Sequence, residues 1–423
     1  MSKRVVVTGM GVVSPNGIGI PAFLHAIQNG TSGIKFMPRY QELNLGCQVA
    51  GMPAFEWESL KNYISEVTFH GLKGTNIGFG VAAALDAWAD SGIEYDTDSP
   101  RWETGCVFGN SIADTEAMKN VIIKVDNKEA RKLGSRVVEQ AMNSGVTSYI
   151  SGRLGFGNKI VTNSSACATG TQAILMGYEY IKDGYAKRML VGSSEHVDTY
   201  VYGAFDSMRV LSRKFNDNPE KASRPMSITA GGFVPGSGAG ALVLEDLDFA
   251  LERGAHIHAE ILGGSSNSGG QRLGGTMTAA NSTGVIRCIS EAMISSGING
   301  EQIDLISGHL TATNADRQEI QNWSQVLNRA GDNFPLTNSL KSMIGHCLSA
   351  AGSIETVASI LQIVHGFVHP NINLEDPSPE ITNLVSLDKL PVKMIKKEIN
   401  IVAKANFGFG DVNSCLILSK YKK

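Results

Sequence analysis

The sequence predicts an α/β protein built as two similar halves. Three observations carry that reading. Short apolar runs alternate with helical patterns along the whole chain. A Gly-rich turn entering an apolar strand occurs twice, as does a small-residue segment opening an amphipathic helix. No long Pro- or Ser-rich linker interrupts the 423 residues, so one compact body is expected.

The strand-like runs lie at 5–8, 105–109, 189–192, 241–245, 259–262, 304–307, 401–405 and 414–418, and clear helical patterns at 75–91 and 284–296. Short apolar strands between helices are the pattern of buried sheets. In the repeat, GSGAGALVLEDL at 236–247 pairs with GFGDVNSCLILSKY at 408–421. ACATGTQAILMGYEYIKDG at 166–184 pairs with HCLSAAGSIETVASILQIVHG at 346–366. In both copies the helix precedes the strand. The expected halves are 1–255 and 256–423.

Composition narrows the function. Apolar residues make up 42% and charged residues 18%, and the net charge is −3. There is no basic surplus to draw nucleic acid or an anionic membrane. The charge-free stretches are broken by Gly, Pro, Asn or Ser, and so read as buried segments, not membrane spans. MSKRVVVTGMGVVSPNG reads as a strand and lacks the apolar block of a signal peptide. Six cysteines without CxxC pairs fit a reducing cytoplasm and no disulfide framework. The 47 glycines, about one residue in nine, demand tight turns or close approaches at many places.

Cys167 stands in VTNSSACATGTQAILMGY, where a strand-like run meets a helix start. Unpaired N–H groups and the helix dipole there favour a thiolate, and small neighbours leave room for a substrate. A buried structural cysteine is the rival reading. His309 follows a strand in LISGHLTATNADRQE, and His346 lies in NSLKSMIGHCLSAAGSIE with Lys341 before it and Glu355 after. Each histidine alone could be an ordinary loop or core residue; together with the cysteine they suit thiol-based acyl chemistry. NFGFGDVN at 406–413 reads as a tight Gly loop able to aim a backbone N–H into a site. Phosphate cradling would need GxGxxG or GxxxxGK[ST] leading into a helix, and no such run is present.

These same residues carry a resemblance. Cys167 in SACATG, His309 in GHLTAT, Lys341 and His346 in KSMIGHCLSAAGSIE, and the NFGFGDVN segment resemble the Cys–His–His β-ketoacyl-acyl carrier protein synthases. VVVTGMGVVSPNG, AFDSMRVLS and GGFVPGSGAGALVLE extend the likeness over the whole chain. The resemblance implies a thiolase fold, whose duplicated halves form five αβαβα layers, and an acyltransferase of fatty acid or polyketide synthesis. It implies decarboxylative Claisen condensation: Cys167 takes an acyl group and malonyl-acyl carrier protein extends it. The N–H groups of Cys167 and Phe409 would form the oxyanion hole. His309 and His346 would polarise the malonyl carbonyl, supported by Lys341 and Glu355. Thr278, Thr311 and Thr313 would bind the pantetheine amides, Ile112 and Phe205 would line the acyl tunnel, and Phe407 and Phe409 would border it, with Phe409 as its gate. No metal or bound cofactor is implied beyond the carrier's phosphopantetheine. The implied partners are acyl carrier protein and a second subunit, either identical or a homologous chain-length factor.

The chain departs from the family pattern in places. Leu310 stands where a Gly is usual after the first histidine, and Thr313-Asn314-Ala315-Asp316 is one residue short. Pro225-Met226-Ser227 and Ala230-Gly231-Gly232-Phe233 lose a charged pair, and Ala113-Asp114 replaces Gly-Gly. These changes spare the catalytic positions and suggest a specialised pathway, such as a polyketide or aryl polyene, over housekeeping elongation. A degradative thiolase would need a second reactive cysteine in the final Gly loop, and Cys415 lies beyond it. Initiating synthases carry Asn where His346 stands. A non-catalytic chain-length partner usually lacks the nucleophile.

Overall fold

The computed structural model describes residues 3–95 and 98–422. Its central feature is an 11-stranded sheet. Ten strands form its path: β1 (Val5–Ser14), β2 (Thr104–Gly109), β3 (Ile160–Val161), β4 (Arg188–Glu195), β5 (Gly238–Asp246), β6 (Ala259–Ser268), β7 (Leu305–Ser307), β8 (Leu336–Asn338), β9 (Ile401–Gly408) and β10 (Val412–Ser419). Their spatial order is β8-β7-β9-β10-β6-β1-β5-β4-β2-β3, with Gly17–Ile18 folded back on β1. The order is a palindrome about the β6–β1 junction. On one side β3, β2 and β4 run parallel, followed by antiparallel β5 and β1. On the other side β8, β7 and β9 run parallel, followed by antiparallel β10 and β6. The halves join where Val5, Val6 and Val7 pair with Ile261, Glu260 and Ala259.

Helices complete the layers. α1 (Thr75–Asp90) covers the outer face of the first half-sheet, and α3 (Ser282–Ser296) with α4 (Ala315–Leu327) covers the second. α2 (Thr169–Lys182) and α5 (Ala351–His365) pack against each other and against strands of both halves. Every residue of α5 from Ala351 to Ile363 is buried, as a helix enclosed on all sides must be. Strand periodicity places the cores. Leu242 and Leu244 of β5 face the central helices, while Ala241 and Val243 face α1. Likewise Leu416 and Leu418 of β10 point inward, and Cys415 and Ile417 outward. These are the five layers of the thiolase fold. Among the described residues, no helix is long and apolar enough to cross a membrane.

Two boundaries differ from the sequence reading. The first strand runs past Thr8 to Ser14, because Gly9 and Gly11 are strand residues and not a turn. A Cβ at Gly11 would lie 2.0 Å from the Ala83 carbonyl oxygen, so glycine there lets α1 lie against the strand. The NFGFGDVN segment is mostly strand as well: Asn406, Phe407 and Gly408 pair with Ser414, Asn413 and Val412. Only residues 409–411 form the turn, with Gly410 at φ +88° and Asp411 at φ +61°. An alternating strand interrupted by Gly reads as a loop until its partner is known.

Candidate active site

Cys167 sits in a 3-10 turn, Ala166–Ala168, that feeds directly into α2. Ala166 has φ +47°, a left-handed conformation that presents the next side chain at a sharp corner. Behind it, Gly408 comes so close that a Cβ would lie 3.1 Å from the Cys167 nitrogen. The thiol is buried, and burial pushes it up to about 12, opposed by Lys341 and by the Phe409 N–H, which donates to the sulfur. The sequence reading expected the helix end to favour a thiolate. In the structure desolvation outweighs it, so the resting group is a thiol.

His346 Nε2 lies 3.1 Å from Cys167 Sγ. The His309 and His346 rings meet edge-on at 5.1 Å, and the sulfur and one nitrogen of each ring lie within 4.8 Å of one another. The chain thus brings together residues 167, 309 and 346 from opposite halves. His309 follows β7, on a loop clasped from α4 by two buried carboxylates. Glu319 accepts from the N–H groups of His309 and Leu310, each at 2.7 Å, and Asp316 accepts from Thr311 at 2.7 Å and Ala312 at 3.1 Å. Burial pushes Glu319 up to about 7 against those bonds. Leu310 packs into the outer core of the second half, away from the thiol, so a side chain is accommodated where the family usually has glycine.

Beneath the histidines lies a buried charge cluster. Glu355 of α5 pairs with Lys341 through Oε1 and with Lys404 of β9 through Oε2 at 2.7 Å. Burial alone would raise this carboxyl, but the two ammonium groups hold it at about 2. Two lysines and one carboxylate leave a net charge of +1. Burial first, and then Lys341, pushes both imidazoles down, His346 to about 3 and His309 well below its ordinary value. Both rings are therefore neutral near pH 7, able to donate an N–H without carrying charge.

A cavity of about 720 Å³ opens onto the thiol. Ile112 and Phe205 line it together with Thr278, Thr311 and Thr313, and Phe407 and Phe409 lie at its glycine hairpin. The Thr311 and Thr313 hydroxyls are 3.0 Å apart. Phe205 stands between Phe233 at 5.6 Å and Phe409 at 6.2 Å, ring centre to ring centre. Lys341 and Glu355 do not line the cavity; they act from behind the histidines. Lys404 and Asn406 escaped the sequence reading. The available signal was a lysine inside the apolar strand IVAKANF, an inward charge that required a buried partner.

This geometry defines a thiol acyltransferase with a cysteine, two neutral imidazoles and a buried lysine–glutamate cluster at the meeting point of two duplicated halves. The family comparisons agree. Residues 2–250 match the β-ketoacyl synthase N-terminal domain and residues 258–375 its C-terminal domain. The chain belongs to the β-ketoacyl synthase family and is a ketosynthase. It is 32% identical over 425 residues to 3-oxoacyl-[acyl-carrier-protein] synthase 2 of Vibrio cholerae, covering 99% of this chain and 100% of that one. Two solved structures, each covering 100% of both chains at a TM-score of 0.88, are also similar. One is the ishigamide ketosynthase/chain length factor at 29% identity. The other, at 28%, is a ketosynthase in complex with a type II PKS acyl-carrier protein and bound to the hexaketide.

Proposed function

We propose that the chain elongates carrier-bound acyl groups by decarboxylative condensation, using Cys167 as nucleophile. The observation that carries this is the convergence of Cys167, His309 and His346 on the wall of the cavity of about 720 Å³. The Cys167 sulfur displaces a pantetheine thiol from the incoming acyl thioester, and the thiol proton leaves on the pantetheine sulfur. Malonyl thioester then enters, carbon dioxide departs, and the resulting enolate attacks the acyl-Cys167 carbonyl. The Cys167 thiolate leaves and takes up a proton from water, so the products are the β-ketoacyl thioester and the resting Cys167 thiol. His309 and His346 donate to the enolate oxygen. The N–H groups of Cys167 and Phe409 receive the tetrahedral oxyanion, donors worth about 3–4 kcal/mol each.

Thr278, Thr311 and Thr313 hold the pantetheine amides, and Phe409 gates the tunnel lined by Ile112 and Phe205. The partner is an acyl carrier protein, whose phosphopantetheine arm is the only prosthetic group this reading requires. The second subunit is an identical chain or a chain-length factor, as in the ishigamide relative. Residues 1–255 carry the nucleophile and 256–423 the histidines. A specialised polyketide-like pathway is favoured by the departures at Leu310 and Ala113-Asp114. A cytoplasmic setting is supported by six free, buried cysteines. The test is incubation with carrier-bound acyl chains of varied length and unsaturation, followed by intact mass. An adduct is expected with the preferred donor and absent in Cys167→Ala; no adduct with any donor, or an equal one in the variant, rejects the nucleophile.

A further inference from the structure

The Asn406 amide is the hub of the buried cluster. Its Oδ1 accepts from Lys404 Nζ at 2.8 Å and from Thr171 Oγ1 at 2.6 Å. Its Nδ2 lies 3.1 Å from Glu355 Oε2 and 3.2 Å from His309 Nδ1. Both lone pairs and both N–H groups of the amide are thus used. Lys404 is equally saturated, with Glu355 Oε2, Asn406 Oδ1 and the Ala405 carbonyl oxygen around its nitrogen at 2.7, 2.8 and 2.6 Å. Three acceptors require three hydrogens, the number on an ammonium group.

An ammonium cannot accept, so it fixes which end of the amide faces it. Were the Asn406 amide reversed, its NH₂ would meet Lys404 and its oxygen would meet the Glu355 carboxylate. Both contacts would be repulsive. With the amide fixed, an N–H points at His309 Nδ1, which must then be the unprotonated nitrogen. We propose that Lys404 and Asn406 are a positioning pair that locks the proton of His309 on Nε2, the nitrogen left to face the cavity. The mechanism above needs a neutral imidazole that donates to an enolate oxygen, and this pair supplies the donor end. Neither residue touches the cavity; both act through His309.

The functional consequence rests on the condensation reading, but the tautomer does not. The test is two-bond ¹H–¹⁵N correlation of the full chain labelled at histidine, with His309 assigned by loss of its signals in His309→Asn. Wild type is expected to carry the proton on Nε2. Asn406→Asp, of the same shape but acceptor-only, is expected to move it to Nδ1, and Lys404→Met to give a mixture. With carrier-bound malonate, Asn406→Asp should lower kcat for decarboxylation on the order of 100-fold, with KM changed less than about twofold. A wild-type proton on Nδ1 overturns the proposal even if the variants fail to fold. So does a folded Asn406→Asp or Lys404→Met that keeps the wild-type tautomer and kcat. If wild type neither condenses nor decarboxylates, the condensation reading fails while the tautomer result still decides the positioning role.

Discussion

The two halves build the same corner twice and use it differently. Ala166-Cys167-Ala168 enters α2 as Leu348-Ser349-Ala350 enters α5, and the residues that open the two corners share a left-handed backbone, φ +47° at Ala166 and +44° at Leu348. Ser349 therefore occupies the position of the nucleophile in the second half. Its hydroxyl lies 2.7 Å from the buried Glu195 carboxylate and 2.8 Å from the Ser194 carbonyl oxygen, with no opening to the cavity. The strands behind the corners repeat too. Ser193 of β4 reaches Ser353 of α5 at 2.8 Å, and Asn406 of β9 reaches Thr171 of α2 at 2.6 Å. In that register Val191 corresponds to Lys404 and Ala173 to Glu355. Both apolar residues are fully buried in the central core. One half thus keeps an apolar backing and presents the thiol; the other exchanges apolar positions for a charge cluster and presents the histidines. The duplicated backbone supplies the corner, and a few buried side chains decide its use.

The largest effects break this division directly. Cys167→Ala is expected to abolish acyl adduct formation, read by intact mass. Ser349→Cys in that background should restore none, because the corner alone does not make a nucleophile. An adduct at position 349 would show that the corner alone does make a nucleophile, and that the side chain at its tip, and not access, separates the two corners.

The fold and the residues that converge at the cavity were legible because they leave local marks: strand–helix alternation, a half-length repeat, and Cys or His flanked by small residues. The resemblance supplied the roles of Lys341, Glu355, Phe409 and the three threonines. What stayed hidden depends on distant partners. Lys404 and Asn406 are two strand positions whose meaning comes from Glu355 and His309, and burial of Cys167 reverses the thiol behaviour that its helix-end position suggested. Leu310 stood out in sequence as a departure from the family's glycine, and the loop turns it into the outer core.

The next effect concerns charge. Glu355→Gln strands two buried ammonium groups, and breaking a buried pair costs about 3–5 kcal/mol. Glu355 is held at about 2, below its unfolded value near 4.5. Its contribution is therefore complete above about pH 4.5 and lost as pH falls toward 2. Urea unfolding should show a large gap between variant and wild type at pH 7 that narrows below pH 4.5. Ala173→Ser, at the matching position of the other half, should show no such narrowing.

Packing at the crossing of the two central helices should matter somewhat less. A Cβ at Gly170 would lie 2.6 Å from the Ser353 nitrogen, and one at Gly352 would lie 2.4 Å from the Thr171 nitrogen. Each helix excludes a side chain against the other's backbone. Gly170→Ala and Gly352→Ala are each expected to cost about 2–3 kcal/mol by overpacking. Gly152→Ala, in the helix Gly145–Leu154 with open space at its Cβ, should be neutral or stabilising by up to about 1 kcal/mol.

The smallest effect tests what the silent corner does. Ser349→Ala removes the hydroxyl bond to Glu195 and leaves only the longer backbone N–H contact at 3.4 Å from that residue. Burial pushes Glu195 up to about 7, and the bonds from Ser111 and Ser349 oppose it. Without the Ser349 hydroxyl the carboxyl moves higher still. A carboxyl raised on folding loses stability as pH climbs from its unfolded value to its folded one, and in the variant that loss continues further up the scale. Ser349→Ala should therefore differ little from wild type at pH 5, where Glu195 is protonated in both folded proteins. By pH 8 the difference should reach about 1–3 kcal/mol, the cost of an unsatisfied buried acceptor. A penalty independent of pH would mean that Ser349 serves the Ser194 carbonyl alone, and that the second corner is held by its backbone and not by Glu195.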